Sequence, residues 1–520
     1  MKPFLTSIFD LYNDFWRQHP SLLYGVAFLL GVTLEISFDI IIFLPITLLF
    51  MPLLFYKYCK TALTKRLILT LTIFFISIIY TKSTFYFSED IHSTPSIGLF
   101  SIHSIERSPK HFGSQWIYKG CIKEWQNLID GSITAKNIPC TILPRLGQNE
   151  QRPLANTDYI LSGSINPHDV KEYSFTMTSK EKWIPLATTF SFAEMRFIAK
   201  KTISNYIDRS IKKKRSATFL KGISTGEFRD DEMKFEFSRF GLQHIMAISG
   251  FHFAIVAGFF NLALRLFISR KRAAVILIFI LCSYFLFLGS SPSVMRAWIM
   301  ILIIIGGFLL ERQGNGLNSL GIALFVILAI DPYMIKHIGF QFSSVVTASI
   351  LINFGIFDTF IQSFLSKREL HQVVEMNNIN KHGYCIITYF RKALALTLSV
   401  NVVALPLSLY HFQKFPLMGI LYNWFFPFMV SMSIIFLILG LLFFFFPFFA
   451  AIIHEINNFY TDFMLNFAYN LPITFDYFFR THLINYRILI CLVSIIFLWS
   501  MLTKNILLKR GQEEKSLIFL

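Results

Sequence analysis

Charge is scarce in this chain. Of its 520 residues 15% are Asp, Glu, Lys or Arg, and acidic side chains number 31 against 48 basic ones. A water-soluble domain carries about 25% charged residues, so a freely soluble protein is excluded. No Gly-x-x-x-x-Gly-Lys-Ser/Thr loop occurs, which excludes a P-loop motor within the sequence. The opening "MKPFLTSIFDLYNDFWRQHP" lacks the apolar core and small-residue cleavage site of a secretory signal, so a cleaved leader is not expected. Cysteine is sparse at six residues, too few for a disulfide-built scaffold.

What fills the chain is apolar. Hydrophobic residues make up 54%, with 60 phenylalanines and a mean hydropathy of +0.54. Runs near the length of a bilayer crossing occur at 22–53 (read as a hairpin), 67–80, 274–289, 297–310, 393–409, 428–450 and 488–501. The expected fold is a polytopic α-helical membrane protein with roughly ten to eleven transmembrane helices.

Short loops carry Lys57, Lys60, Lys65 and Arg66; Arg270, Lys271 and Arg272; Lys367, Arg368, Arg391 and Lys392; and Lys504, Lys509 and Arg510. The positive-inside rule makes these cytoplasmic, and alternation then puts the long polar segment from Thr81 to about Arg239 outside. Cys121 and Cys140 fall in that segment, where a disulfide between them can persist. Two free thiols are the other reading.

The outer segment reads as five short strands, "IGLFSIHSIERS", "SQWIYKGCIKEW", "NIPCTILP", "DYILSGSIN" and "YSFTMTS", broken by turn residues. Five strands in so short a span suit a small extracytoplasmic β-barrel, OB-like in type. Its 11 basic and 11 acidic side chains between Lys82 and Glu194 give it no basic face. Basic charge concentrates just after it, in a helix-patterned stretch holding Lys200, Lys201, Arg209, Lys212, Lys213, Lys214 and Arg215 beside an Ile203, Ile207, Ile211 stripe. Two compatible roles follow, a helix lying on anionic membrane lipid or an electropositive entrance for a polyanion.

"GLQHIMAISGFHFAIVAGFF", residues 241–260, then carries His244, Ser249 and His252 into an apolar helix. On one helix the two histidines stand about 12 Å apart along the axis, too far to share a metal. Ser249 and His252 have the spacing of a hydrolase pair, but Ser249 lies in no Gly-x-Ser-x-Gly turn and has no neighbouring carboxylate. The alternative is structural, with Ser249, Gly250 and Gly258 permitting close helix packing. Polar groups at membrane depth also mark transport pathways.

Four ordered segments carry a family resemblance. The 241–260 stretch resembles the Gly-Leu-x-His-Leu-Leu-Ala-Ile-Ser-Gly-Leu-His signature of ComEC proteins, inner-membrane DNA-uptake channels of transformable bacteria. "GSSPSVMRAWIM" resembles that family's Pro-Ser-x-x-Arg-Ala segment, "IDPYMIKHIGFQFSSVVTASIL" its Asp-Pro and Gly-Phe-Gln region, and "NVVALPLSLYHFQKFPLMGILYNWFFPFMV" its Leu-Pro-Leu, Tyr-His-Phe and Asn-x-x-x-x-Pro pattern. Gln243, Phe251 and Phe253 depart from the usual residues, and no His-x-His-x-Asp-His cluster of the metallo-β-lactamase-like domain found in longer members is present.

The resemblance implies transport of single-stranded DNA by a non-enzyme without cofactor or metal. The expected path is His244, Ser249, Gly250, His252, Pro292, Arg296, Gln341, Asn401 and Asn423, with the basic helix as entrance. Ser291 is expected to cap the helix that Pro292 begins, with Arg296 one turn inside, an arrangement that attracts phosphate. Pro406, Pro416 and Pro427 suit broken helices beside a cavity. Expected partners are a surface or periplasmic DNA receptor, a cytoplasmic ATP-driven helicase-like motor and a separate nuclease, at the bacterial inner membrane. The corresponding division is 1–80 helices, 81–190 barrel, 191–240 basic helix and linker, 241–503 channel and 504–520 cytoplasmic tail. An intramembrane hydrolase and a small-solute secondary transporter remain alternatives.

Overall fold

The computed structural model describes residues 2–54, 61–87, 96–109, 114–144, 152–165, 175–179, 183–188, 191–228, 230–246, 249–368, 370–470, 477–481 and 484–518. In chain order they form α1 (Lys2–Gln18), α2 (Pro20–Ile36), α3 (Phe43–Leu54), α4 (Thr61–Thr84), β1 (Tyr86–Phe87), β2 (Ser96–Pro109), β3 (Ser114–Asn127), β4 (Ile133–Ile142), β5 (Thr157–Ile165), β6 (Phe175–Ser179) and β7 (Ile184–Thr188). There follow α5 (Phe192–Ser210), α6 (Lys214–Thr225), α7 (Asp231–Arg239), α8 (Gln243–Met246), α9 (Gly250–Phe267), α10 (Arg270–Leu288), α11 (Pro292–Leu309), α12 (Gly316–Ile330), α13 (Ile338–Gln362) and α14 (Leu370–Glu375). The chain closes with α15 (Asn378–Phe412), β8 (Lys414–Pro416), α16 (Gly419–Tyr422), α17 (Phe426–Leu442), α18 (Pro447–Tyr469), β9 (Phe478–Arg480) and α19 (Tyr486–Ile518).

Among the described residues eight helices are long and apolar enough to cross a membrane, or nine with the bent pair α1 and α2 taken as one span. The chain is a multi-pass membrane protein. The count falls below the ten to eleven expected because the apolar stretches Ile40–Phe50 and Gly316–Ile330 form helices shorter than a crossing. Where α2 meets α12, Gly25 and Gly321 let the backbones touch: a Cβ on Gly25 would stand 2.3 Å from the Gly321 carbonyl oxygen. Small residues at such crossings replace the hydrophobic drive that lipid cannot supply.

All five strand-like runs are strands, joined by the two short strands β1 and β7. The sheet order is β1-β4-β3-β2-β5-β6, with β7 on β5, and a parallel pairing of β6 with β4 brings the path back to β4. Phe100, Tyr118, Ile122, Trp125, Ile138 and Phe175 fill the interior, and Tyr333, from the turn between α12 and α13, packs with them. Arg152 pairs with Glu194 of α5, while Arg196 donates from Nε to the Leu286 carbonyl at 2.8 Å and from Nη1 to the His103 carbonyl at 3.2 Å. The sheet is thus tied to the far end of α10 and to the turn before α13, which defines a sheet-bearing end of the bundle.

The expected disulfide is not formed. Cys121 and Cys140 are free thiols, and register explains it: Cys140 stands opposite Gly120, while Cys121 stands opposite Pro139. An offset of one residue puts the two side chains on opposite faces of the sheet. Cys140 joins the core. Burial, with Asp331 adding to it, pushes the Cys121 thiol up to about 12, and burial raises Cys140 as well. Alkylation of denatured, unreduced protein is therefore expected to label both the Cys121 and Cys140 peptides, while native protein reacts slowly at pH 8 because thiolate is scarce. Labelling that required prior reduction would overturn this register.

Candidate functional site

The four resembling segments, far apart in sequence, meet at the sheet-bearing end. Gly241 has φ +68°, and a Cβ there would stand 2.4 Å from Pro416 Cγ and 3.5 Å from Gly419 Cα; beside them Phe240 and Tyr422 rings meet edge to face at 5.0 Å. This joins the first segment to the fourth. Gly250 joins it to the second, since a Cβ there would lie 3.0 Å from Arg296 Nη2 and 3.3 Å from Ala297 Cβ. Arg296 donates from Nη1 to the Ser343 carbonyl of the third. Gln341 completes the ring, accepting from His411 Nε2 at 2.8 Å and donating to the Ile335 carbonyl at 2.8 Å.

The histidines do not share one helix. His244 lies on α8 and His252 on α9, so their spacing along a common axis does not apply. Among the described residues no His/Cys/Asp/Glu group could hold a metal. His244 Nδ1 stands 3.2 Å from the Gly241 carbonyl oxygen, and since a carbonyl only accepts, that nitrogen carries its proton. His252, buried at the third position of α9, accepts the Ser249 backbone N–H on Nδ1 at 3.2 Å, which leaves its proton on Nε2. His252 thereby takes the place that Glu or Gln holds in a capping box. Ser249 Oγ is 3.4 Å from the same Nδ1, so the hydroxyl shares that acceptor with the backbone N–H.

A Gly-x-Ser-x-Gly spacing does occur at 222–226, but it ends helix α6, where Ser224 Oγ donates to the Lys221 carbonyl at 3.1 Å. It is no strand-to-helix elbow. Gly258, expected to aid packing, faces open space.

Pro292 begins α11 with Ser291 at the cap position, as expected, although the Ser291 side chain makes no capping bond. Asn401 turns back to its own helix at the Thr397 carbonyl, 2.9 Å away. Thr397 Oγ1 accepts from Trp424 Nε1 at 3.1 Å, tying α15 to the segment after it, and next to that contact Asn423 Oδ1 is buried with no partner among the described residues. Of the three prolines, Pro406 stays inside α15, Pro416 lies in strand β8, and Pro427 opens α17.

The basic stretch is two helices rather than one, α5 and α6, with a break at 211–213. Lys200 pairs with Glu227, Lys212 with Glu455, Lys213 with Asp462 and Arg215 with Glu232. Burial lowers the Lys200 pKa, and Glu227 opposes that only in part. Lys201, Arg209 and Lys214 make no ion pair among the described residues. Local carboxylates therefore offset much of the positive surface expected here. His411 and the Ser343 carbonyl were not singled out in the sequence; a polar side chain facing Gln341 from the end of another span is the signal for His411.

Ser249→Ala is expected to cost about 1 kcal/mol of helix-start stability and to leave the chain's activity within about tenfold of normal. A loss on the order of 10³ at normal membrane abundance would instead mark a nucleophile.

Residues 226–504 match the family model described as "Competence protein". ComE operon protein 3 of Bacillus subtilis (strain 168) is 27% identical over 211 residues, 40% of this chain and 24% of that protein. The alignment thus spans about a quarter of the relative's length. No solved structure matches.

Proposed function

Because the chain belongs to the competence-protein family, we propose that it carries single-stranded DNA inward across the bacterial inner membrane. The observation that supports this most is the convergence of four segments on one polar cluster around Arg296, at the bundle end that holds the sheet. A phosphate backbone cannot enter hydrocarbon and needs a path lined by protein polar groups. His244, Ser249, Gly250, His252, Pro292, Arg296 and Gln341 supply one, with Asn401 and Asn423 further along it. The returning sheet path, with β6 parallel to β4, supports an OB-type barrel on the outer face, and Lys201, Arg209 and Lys214 remain for strand capture. In this reading a cytoplasmic helicase-like motor pulls, an outer receptor delivers and a separate nuclease removes the second strand.

Catalysis finds no support at Ser249, where backbone and hydroxyl share one histidine nitrogen. A photo-crosslinking residue placed at Ser290, exposed just ahead of α11, is expected to capture labelled single-stranded DNA during uptake. The same residue at the exposed Phe459 of α18 is expected to capture none. Equal capture at both positions, or none at 290, would contradict the path.

A further inference from the structure

Arg296 is 8% exposed, and its Nε is buried without a partner among the described residues. Its contacts are the Ser343 carbonyl and the start of α9 at Gly250, and no carboxylate pairs with it among the described residues. It sits one turn inside α11 and against the first residue of α9, and each helix start contributes roughly +0.5 charge of its own. Three positive contributions meet in one place without a counter-charge among the described residues. The Gly250 and Phe251 N–H groups, at the open end of an 18-residue helix, have no acceptor among the described residues. A buried cation is costly unless paired.

We infer that the start of α9 and Arg296 form a seat for one phosphate group, held by the Gly250 and Phe251 N–H groups and by the guanidinium. A Cβ on Gly250 would stand 3.0 Å from Nη2, so a side chain there crowds the guanidinium by a few tenths of an ångström. The second helix start anticipated as the anion site, at Pro292, serves instead to aim Arg296 at the first. The seat is a property of these groups alone; that its working occupant is a phosphodiester of a passing strand rests on the DNA-transport reading. Absence of a fixed carboxylate suits that occupant, because a permanent ion pair would hold the guanidinium while a moving strand must bind and leave.

The test uses the full chain purified in detergent. Inorganic phosphate is titrated at constant ionic strength against chloride, and affinity is read from the rise in melting temperature. Wild type is expected to show saturable stabilisation. Arg296→Gln is expected to weaken it at least about tenfold, the scale of a lost charged hydrogen bond, with Arg296→Lys intermediate because it keeps charge without the fork. Gly250→Ala tests the seat without touching the charge and is expected to weaken binding too. Equal phosphate affinity in wild type and in variants of unchanged helicity would overturn the seat.

In a second arm, a short single-stranded oligonucleotide is expected to compete with phosphate while its neutral methylphosphonate counterpart does not. Competition by phosphatidylglycerol alone would assign the seat to a lipid headgroup and overturn the phosphodiester. Arg296-dependent phosphate binding in a chain that moves no DNA would leave the seat standing and remove the transport reading. Normal DNA transport without such binding would do the reverse.

Discussion

Arg296→Ala is expected to cut DNA uptake on the order of a hundredfold at unchanged membrane abundance. Truncating a buried, hydrogen-bonded charge costs about 2–5 kcal/mol where its partner is bound. Here the change removes the one guanidinium that touches α9 and α13 from α11. Arg296→Lys is expected to recover part of the activity, since it restores the charge but not the two-pronged geometry. Uptake measured per unit of membrane protein decides the matter. Near-normal uptake in Arg296→Ala would separate this residue from the path, and full recovery in Arg296→Lys would mean that charge alone suffices.

The second large effect is expected at Gly241. Its φ of +68° disfavours any side chain, and a Cβ would stand 2.4 Å from the Pro416 ring, which cannot swing away. Left-handed backbone costs about 1–2 kcal/mol and forced overpacking about 1–3 kcal/mol. Gly241→Ala is therefore expected to lose about 2–5 kcal/mol where the first segment meets the fourth, with uptake falling in step. Gly258→Ala, where a Cβ meets nothing within 4 Å, is the matched control and is expected to unfold like wild type. Thermal unfolding in detergent that left Gly241→Ala and Gly258→Ala alike would show that the close approach carries no stability.

Much of this architecture was legible because its signals are local. The five strands followed from alternation and turn residues, and the start of α11 from Ser-Pro. Among the described residues the long apolar helices number fewer than the ten to eleven spans expected, with 40–50 and 316–330 forming apolar helices shorter than a crossing. Residue types forming the cluster were legible too, including Arg296 and Gln341, but the contacts joining them were not. The approach of Gly241 to Gly419 and the bond from Arg296 to Ser343 depend on how helices cross, which periodicity does not encode. The disulfide failed for a related reason: one residue of register turns Cys121 away from Cys140, and separation along the chain is blind to that. Ile211 continued the apolar stripe of the basic stretch and hid its break, while Glu455 and Asp462, which neutralise Lys212 and Lys213, lie more than two hundred residues downstream.

The central claim is that this chain is the conduit by which DNA reaches the cytoplasm. Its most direct test follows labelled double-stranded DNA added to cells with and without the chain, scoring surface-bound label and label in a nuclease-resistant cytoplasmic pool separately. The account predicts normal surface binding and loss of the cytoplasmic pool without the chain, restored by wild type and not by Arg296→Ala. A cytoplasmic pool of undiminished size in cells lacking the chain would contradict it.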